Sequence, residues 1–272
     1  MLFKLVDTHA HLDELENLDF MLEEAKQVGV IAIVAVGSNR LSNIKTLEIS
    51  QRLRPFVYPA IGLHPWELAN LGASQIDDNL KFVEENSYRA VAIGEIGLDY
   101  DKRVLKAASK ELQKDILKRL LEIAKRHVKP VIIHSRYAWK DSFQLVKDAG
   151  VSKSVFHWFT GFSGVLKDII DSGYFISATP AAEYHEEHRR AVRETPLDRL
   201  LLETDCPVTY GRESKYKSKP ADVLRALKAV AGLKGVDEAT IAEQTTRNAI
   251  NLFALNGLSW DGRRRVNTGN NK

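Results

Sequence analysis

VDTHAHLD (Val6–Asp13) closes the first apolar run of the chain with two histidines two residues apart. In a strand, residues two apart face the same side, so His9 and His11 can turn into one site. The same form recurs along the chain: a short apolar run, then a metal-ligand residue type. Glu95 follows in GEIGLDYD (94–101), His134 in PVIIHSR (130–136), His157 in HWFTG (157–161) and Asp205 in LLETDCP (201–207). Residues so far apart in sequence form one site only if the fold gathers its strand ends, as a parallel barrel does.

Working outward, strands are expected near 3–8, 30–37, 57–62, 90–95, 130–134, 154–158, 174–178 and 199–205. Helices are expected near 17–28, 40–53, 75–86, 104–127, 138–149, 163–172, 183–194, 220–232 and 237–255. Asp19, Ser163 and Asp237 stand near helix starts, where short polar side chains satisfy free N–H groups. Gly29, Gly150 and Gly173 follow helices, where a left-handed residue ends them at little cost. Strands alternating with helices imply a parallel sheet, and eight strands close a barrel filled by its own side chains. The expected fold is therefore an α/β (β/α)8 TIM barrel with its site at the C-terminal ends of the strands. The 272 residues suit it, since such barrels take about 250. An open doubly wound sheet is the alternative, but it gathers ligands from so many strands less readily.

One domain is expected over 1–258, followed by a disordered basic tail over 259–272. Arg263, Arg264, Arg265 and Lys272 against Asp261 place the whole formal charge of +3 in that tail. The body is neutral, which argues against charge-driven capture of nucleic acid by the folded domain. A lone cysteine, Cys206, excludes an internal disulfide framework and fits a reducing compartment. No apolar run approaches the roughly 18 residues of a membrane span. Asp7, His9 and His11 interrupt the place of a signal peptide, so a cytoplasmic protein is expected, with no membrane and no obligate protein partner inferred.

Six candidate ligands (His9, His11, Glu95, His134, His157, Asp205) exceed what one small tetrahedral ion takes. Glu95, with two oxygens, can bridge two divalent ions, with His9, His11 and Asp205 on one and His134 and His157 on the other. Mixed nitrogen and carboxylate donors suit Zn, Mn or Fe, and Mg remains possible with water completing its shell. Such a pair polarises a phosphoryl or carbonyl oxygen and makes hydroxide available near neutral pH. Asp205 is placed to orient the attacking water and accept its proton, which makes Asp205 and Glu95 the catalytic carboxylates. Glu203 faces inward two residues earlier, either orienting a ligand histidine or serving as a buried structural carboxylate. The competing explanation for the whole set is histidines lining a polar mouth.

Three residues are candidate substrate contacts: His64 in GLHPW, Arg136 for phosphate and Trp158 for a base. Each has a structural alternative in packing or ion pairing. Arg103, Arg212, Lys215 and Lys217 can join Arg136 in a basic rim. His185 and His188 lack the i, i+4 spacing of a helical zinc site and, with His127, are expected at the surface or at helix ends. A nucleophilic role for Cys206 has no support from a partner histidine.

Taken together, DTHAHLD, GLHP, GEIGLDYD, PVIIHSR, HWFTG, LLETDCP and TTRNAINLF resemble the TatD-related DNases, a family of metal-dependent hydrolases among the amidohydrolase-like barrels. The resemblance runs from about Leu5 to Leu255. It implies a metal site at His9, His11, Glu95, His134, His157 and Asp205, and a substrate contact at His64. It further implies metal-dependent cleavage of DNA, including 3′-to-5′ exonuclease action, and in some relatives deacylation of D-aminoacyl-tRNA. This chain departs from the family at Trp158, where Cys is usual, at Cys206, where Ala is usual, and at Lys217-Ser218-Lys219-Pro220, where R-N-x-P is frequent. The departures bear on substrate preference rather than on the metal site. Glu95 at the fourth strand, with no lysine at a strand end, argues against the phosphotriesterase branch.

The expected function is hydrolysis of DNA phosphodiesters from a single-stranded or exposed end, with two divalent ions as cofactors. The alternative is an ester or amide hydrolase, acting on an aminoacyl-tRNA or a small cyclic amide. A binding barrel without catalysis is a third reading, disfavoured by the intact ligand set.

Overall fold

The computed structural model describes residues 3–255 and Leu258; the expected tail lies outside them. Eight parallel strands pair in sequence order: β1 (Leu5–Ala10), β2 (Val30–Val36), β3 (Val57–Ile61), β4 (Ala92–Asp99), β5 (Val131–Arg136), β6 (Ser154–Phe156), β7 (Phe175–Ala178) and β8 (Leu200–Leu202). Helices separate them: α1 (Leu18–Gln27), α2 (Arg40–Arg52), α3 (Ala73–Asn86), α4 (Lys102–Leu105), α5 (Lys110–Arg126), α6 (Trp139–Ala149), α7 (Ser163–Asp171), α8 (Glu186–Glu194), α9 (Val223–Lys234) and α10 (Glu238–Phe253).

The barrel closes just beyond β8. Ala10 bridges Cys206 in parallel, His11 N donates to the Cys206 carbonyl at 2.8 Å, and Asp205 N donates to the His9 carbonyl at 2.8 Å. Buried Asp7 reinforces the seam, accepting from Thr204 N at 2.9 Å and from Thr204 Oγ1 at 2.6 Å. Closure therefore brings the ligands of the first and last strands side by side.

Two apolar layers follow from the period-two pattern of the strands. Val6, Ala32, Val34, Ala60, Ala92, Ile132, Val155 and Leu201 form an inner cluster with Leu252 and Phe253 of α10. Their alternates pack outward against the helices in the larger core. Stepping by two from the inner residues reaches the mouth: Ala60 to Gly62 to His64, Ile132 to His134 to Arg136, Val155 to His157, and Leu201 to Glu203 to Asp205. In β1 and β4 the parity breaks. Register is irregular between Asp7 and Ala10 and between Ile93 and Ile96, where His9 and Glu95 lie. Such irregularities re-aim side chains beside active sites.

Helix α5 shows why these segments fold as they do. Ser109 Oγ accepts from Leu112 N at 3.2 Å, and Ile116, Leu120, Ile123 and Ala124 recur at helical spacing to bury one face. That cap starts a new helix at Lys110, so the single helix expected over 104–127 is two, α4 and α5. Asp237 caps α10 as expected, accepting from Thr240 N at 2.9 Å. Ser163 instead begins α7 behind Phe162, and Asp19 lies in the first turn of α1 behind Asn17. Gly29, Gly150 and Gly173 take positive φ at their helix ends.

His188 corrects the surface assignment. It is fully buried, its ring between Thr179 N (3.1 Å to Nε2) and the Phe159 carbonyl (2.9 Å to Nδ1). Burial lowers its pKa to about 4 from an ordinary 6.5. Between those values the unfolded chain takes up a proton that the folded chain refuses. Its contribution is complete above pH 6.5 and is lost as pH falls towards 4. Wild type should lose roughly 3 kcal/mol more than His188→Gln over that range. Urea titrations at several pH values check this, and parallel pH profiles for the two proteins would contradict it. His185 caps α8, and His127 ends α5 within 3.9 Å of Glu84, as helix-end histidines.

Candidate metal centre

All six candidate ligands reach one place, the mouth of the barrel. At its centre is the Glu95 carboxylate, 3% exposed. Its Oε2 lies 3.3 Å from His9 Nε2 and 3.4 Å from His11 Nε2. Its Oε1 lies 2.7 Å from His157 Nε2, 2.9 Å from His134 Nδ1 and 3.4 Å from His64 Nε2. Asp205 Oδ1 stands 3.5 Å from both His9 Nε2 and His11 Nε2. Asp205 is held at φ 48, a left-handed value rare outside glycine, so the chain turns sharply where this carboxylate enters the site.

These donors fit divalent metal ions. Three groups have ligand atoms within 4.8 Å of one another: His9, His11 and Asp205; His9, Glu95 and His157; and His64, Glu95 and His134. The Nε2 atoms of His9 and His11 face each other at 3.2 Å, an arrangement that a shared cation satisfies better than a hydrogen bond. Hydrogen bonding also selects the tautomers. Asp99 Oδ2 lies 3.0 Å from His134 Nε2, so that nitrogen donates and Nδ1 keeps its lone pair for the centre. In His157, Nε2 lies 2.7 Å from Glu95 Oε1 and Nδ1 stands 3.4 Å from Glu203 Oε1 without a hydrogen bond; Glu203 Oε1 instead accepts from Trp158 N at 3.0 Å.

His64 differs. Its Nδ1 accepts from Trp66 N at 3.2 Å, so the neutral ring carries its proton on Nε2 and presents a donor to the centre. Burial lowers its pKa to about 4, aided by the nearby His134, while Glu95 opposes the shift.

The electrostatics favour positive charge at the centre. Burial works against protonated His11, His134 and His157, yet the carboxylates around them outweigh it and raise all three. Burial likewise opposes ionised Glu95 and Asp205, and the surrounding histidines overcome it to lower both. A field that holds protons on these rings also attracts a divalent cation in their place.

The site extends further than expected because β4 does. Glu95 was expected at a strand end but lies inside β4, which continues in register with β5 through Gly97↔His134 and Asp99↔Arg136. A Cβ on Gly97 would stand 2.0 Å from the His134 carbonyl, so only glycine permits this approach. Asp99, fully buried, binds His134 Nε2, Trp66 Nε1 at 2.6 Å and Arg136 Nε at 3.1 Å. Burial would raise its pKa, but His134 and Trp66 outweigh it and hold the carboxyl well below its ordinary value. Asp99→Asn should lower metal affinity or turnover by about 10- to 100-fold, since the amide cannot accept from all three donors. Metal titration and steady-state kinetics check this; unchanged values in both would refute the role.

The mouth opens into a cleft of about 1020 Å³. Arg136 and Trp158 line it; Arg103, Arg212, Lys215 and Lys217 do not, which corrects the expected basic rim at the cleft itself. Arg103 turns to Asp101 and Arg212 to the Tyr184 carbonyl. Arg136 stacks over Trp66 at 5.0 Å, and Trp158 leans on Tyr210 at 5.3 Å. Cys206 is buried, with burial pushing its thiol well up, as suits an inert group.

The fold and this ligand set define a metal-dependent hydrolase of the (β/α)8-barrel type. Comparison with known proteins agrees. A family model described as TatD related DNase matches residues 6–254. The chain is 33% identical over 259 residues to the deoxyribonuclease TATDN3 of Homo sapiens, covering 92% of this chain and 94% of that one. It is also 33% identical over 264 residues to the metal-dependent hydrolase YabD of Bacillus subtilis, with 93% and 100% covered. Among solved structures, the TatD homologue YJJV of Escherichia coli matches with a TM-score of 0.83 at 27% identity, over 93% of this chain and 99% of that one. The chain belongs to the TatD-related DNase family.

No helix among the described residues is long and apolar enough to cross a membrane.

Proposed function

We propose that this protein hydrolyses DNA phosphodiesters with two divalent ions, acting from the 3′ end of a single strand. The observation that carries the two-ion reading is the division of Glu95: one oxygen faces His9 and His11, and the other faces His134 and His157. His9, His11 and Asp205 would hold one ion, and His134 and His157 the other. Bound there, divalent ions supply Lewis-acid activation of water and of the phosphoryl group.

The chain's own residues do the rest. Asp205, with its pKa lowered, is ionised near neutral pH and takes the proton of the attacking water. His64 donates one Nε2–H bond to a phosphoryl oxygen without adding charge. Arg136, steadied by Asp99 and Trp66, faces the cleft as a phosphate contact, and Trp158 presents its ring beside the ligands. Glu203 backs the His157 ring, 3.4 Å from its Nδ1.

Matched assays of a phosphodiester and a carboxylic ester, with the same metal loading, test the reaction class. Faster phosphodiester turnover is expected. Faster cleavage of an ester or cyclic amide would overturn the proposal in favour of carbonyl chemistry.

A further inference from the structure

We infer that Tyr137, Trp139 and Phe162 form a base-stacking subsite, which takes an unpaired nucleobase next to the phosphate held at the ligand cluster. The nature of the occupant rests on the hydrolytic reading above; the subsite rests on its own geometry.

Tyr137 and Phe162 leave 61% and 72% of their surface exposed, unusual for large apolar side chains. Trp139 joins them edge to face, 5.9 Å from Tyr137 and 5.3 Å from Phe162 between ring centroids. All three line the cleft that contains His134 and His157. Tyr137 and Phe162 come from the loops after β5 and β6, the strands that supply those two histidines, and Trp139 opens α6 just beyond the first loop.

The wall is built rather than incidental. Tyr137 holds φ 56, a costly value for a non-glycine residue and one that concentrates at functional sites. Gly161 lets the β6–α7 loop lie against Trp139: a Cβ there would stand 2.6 Å from Trp139 Cγ. Arg190 fixes the same loop through the Gly161 carbonyl and through Ser163 Oγ at 2.7 Å. The rings thus meet a ligand with little ordering left to do.

Charge favours a base over a run of backbone phosphates here. Glu14, Glu67 and Glu187 share the cleft with two arginines: Arg136, assigned above to the phosphate at the ligand cluster, and Arg190, which pairs with Glu194. Little electrostatic attraction remains for an extended backbone, so the ring faces supply the affinity. Stacking on aromatic side chains accepts any base. It also requires the base to be unpaired, which selects single-stranded or frayed ends.

The test is fluorescence anisotropy with metal-loaded enzyme and two cleavage-resistant probes. One is a phosphorothioate oligothymidylate; the other is a phosphorothioate abasic oligomer of the same length and charge. Wild type should bind the thymidylate probe at least about tenfold more tightly. Tyr137→Ser/Phe162→Ser should lose that preference, and Tyr137→Trp/Phe162→Trp, which keeps the ring faces, should retain it. Equal binding of both probes by wild type, or an undiminished preference in the serine variant, overturns the subsite. Cleavage of unmodified DNA is followed on the same proteins. An enzyme that prefers thymidylate but cleaves no DNA contradicts the hydrolytic reading and leaves the subsite standing. One that cleaves DNA without the preference contradicts the subsite alone.

Discussion

Glu95→Gln is expected to reduce kcat/KM by about 10³-fold or more and to release bound metal. The substitution keeps the shape but removes the charge and replaces one carboxylate oxygen with an NH2 group. That group has no lone pair for an ion and would point a donor at the histidines around it. Each Glu95 oxygen faces a different set of rings, so losing either one breaks the link between two ligand sets. Elemental analysis of purified protein and kinetics on one oligonucleotide check both effects. Retention of both ions with activity within about tenfold of wild type would contradict a bridging carboxylate.

Asp205→Asn should behave differently. Kcat should fall by about 10²- to 10⁴-fold, the usual contribution of a positioned base, while KM and metal content change little. The amide oxygen still offers a lone pair to an ion where Asp205 Oδ1 stands 3.5 Å from the His9 and His11 Nε2 atoms. What is lost is the ability to accept a proton. Metal content falling in parallel with activity would show that Asp205 acts as a ligand only.

Much of this site was legible in the sequence because a parallel barrel maps strand ends to one rim. VIIHSR, VFHWF and LLETDCP each carry an apolar run that sets the inward parity of the residues after it, whereas in VDTHAHLD the irregular register beside His9 breaks it. His134, His157 and Asp205 follow that parity from Ile132, Val155 and Leu201. Asp99 escaped notice because β4 was taken to end at Glu95. The signal was present, since Glu95, Gly97 and Asp99 continue at spacing two, but Gly97 broke the apolar run that marks a strand. Only the register with β5 shows that the glycine is there for the His134 backbone.

His188 illustrates a second limit. HEEH is polar, and a polar segment on a helix reads as surface. Its burial depends on Phe159 and Thr179, which come from other loops and cannot be paired with it by periodicity. The aromatic wall was hidden for the same reason. Tyr137, Trp139 and Phe162 stand in two segments, and what unites them is the packing of neighbouring loops at the mouth. Apolar residues at such positions ordinarily read as core.

We propose a two-ion centre that cleaves DNA from its 3′ end. Its most direct test is cleavage of an end-labelled single-stranded oligonucleotide by metal-stripped protein refilled with Mg, Mn or Zn, with His134→Ala as the control. A ladder shortening one nucleotide at a time from the 3′ end, dependent on refilling and absent in the variant, is the predicted result. No cleavage by folded protein shown to carry the refilled metal would contradict it.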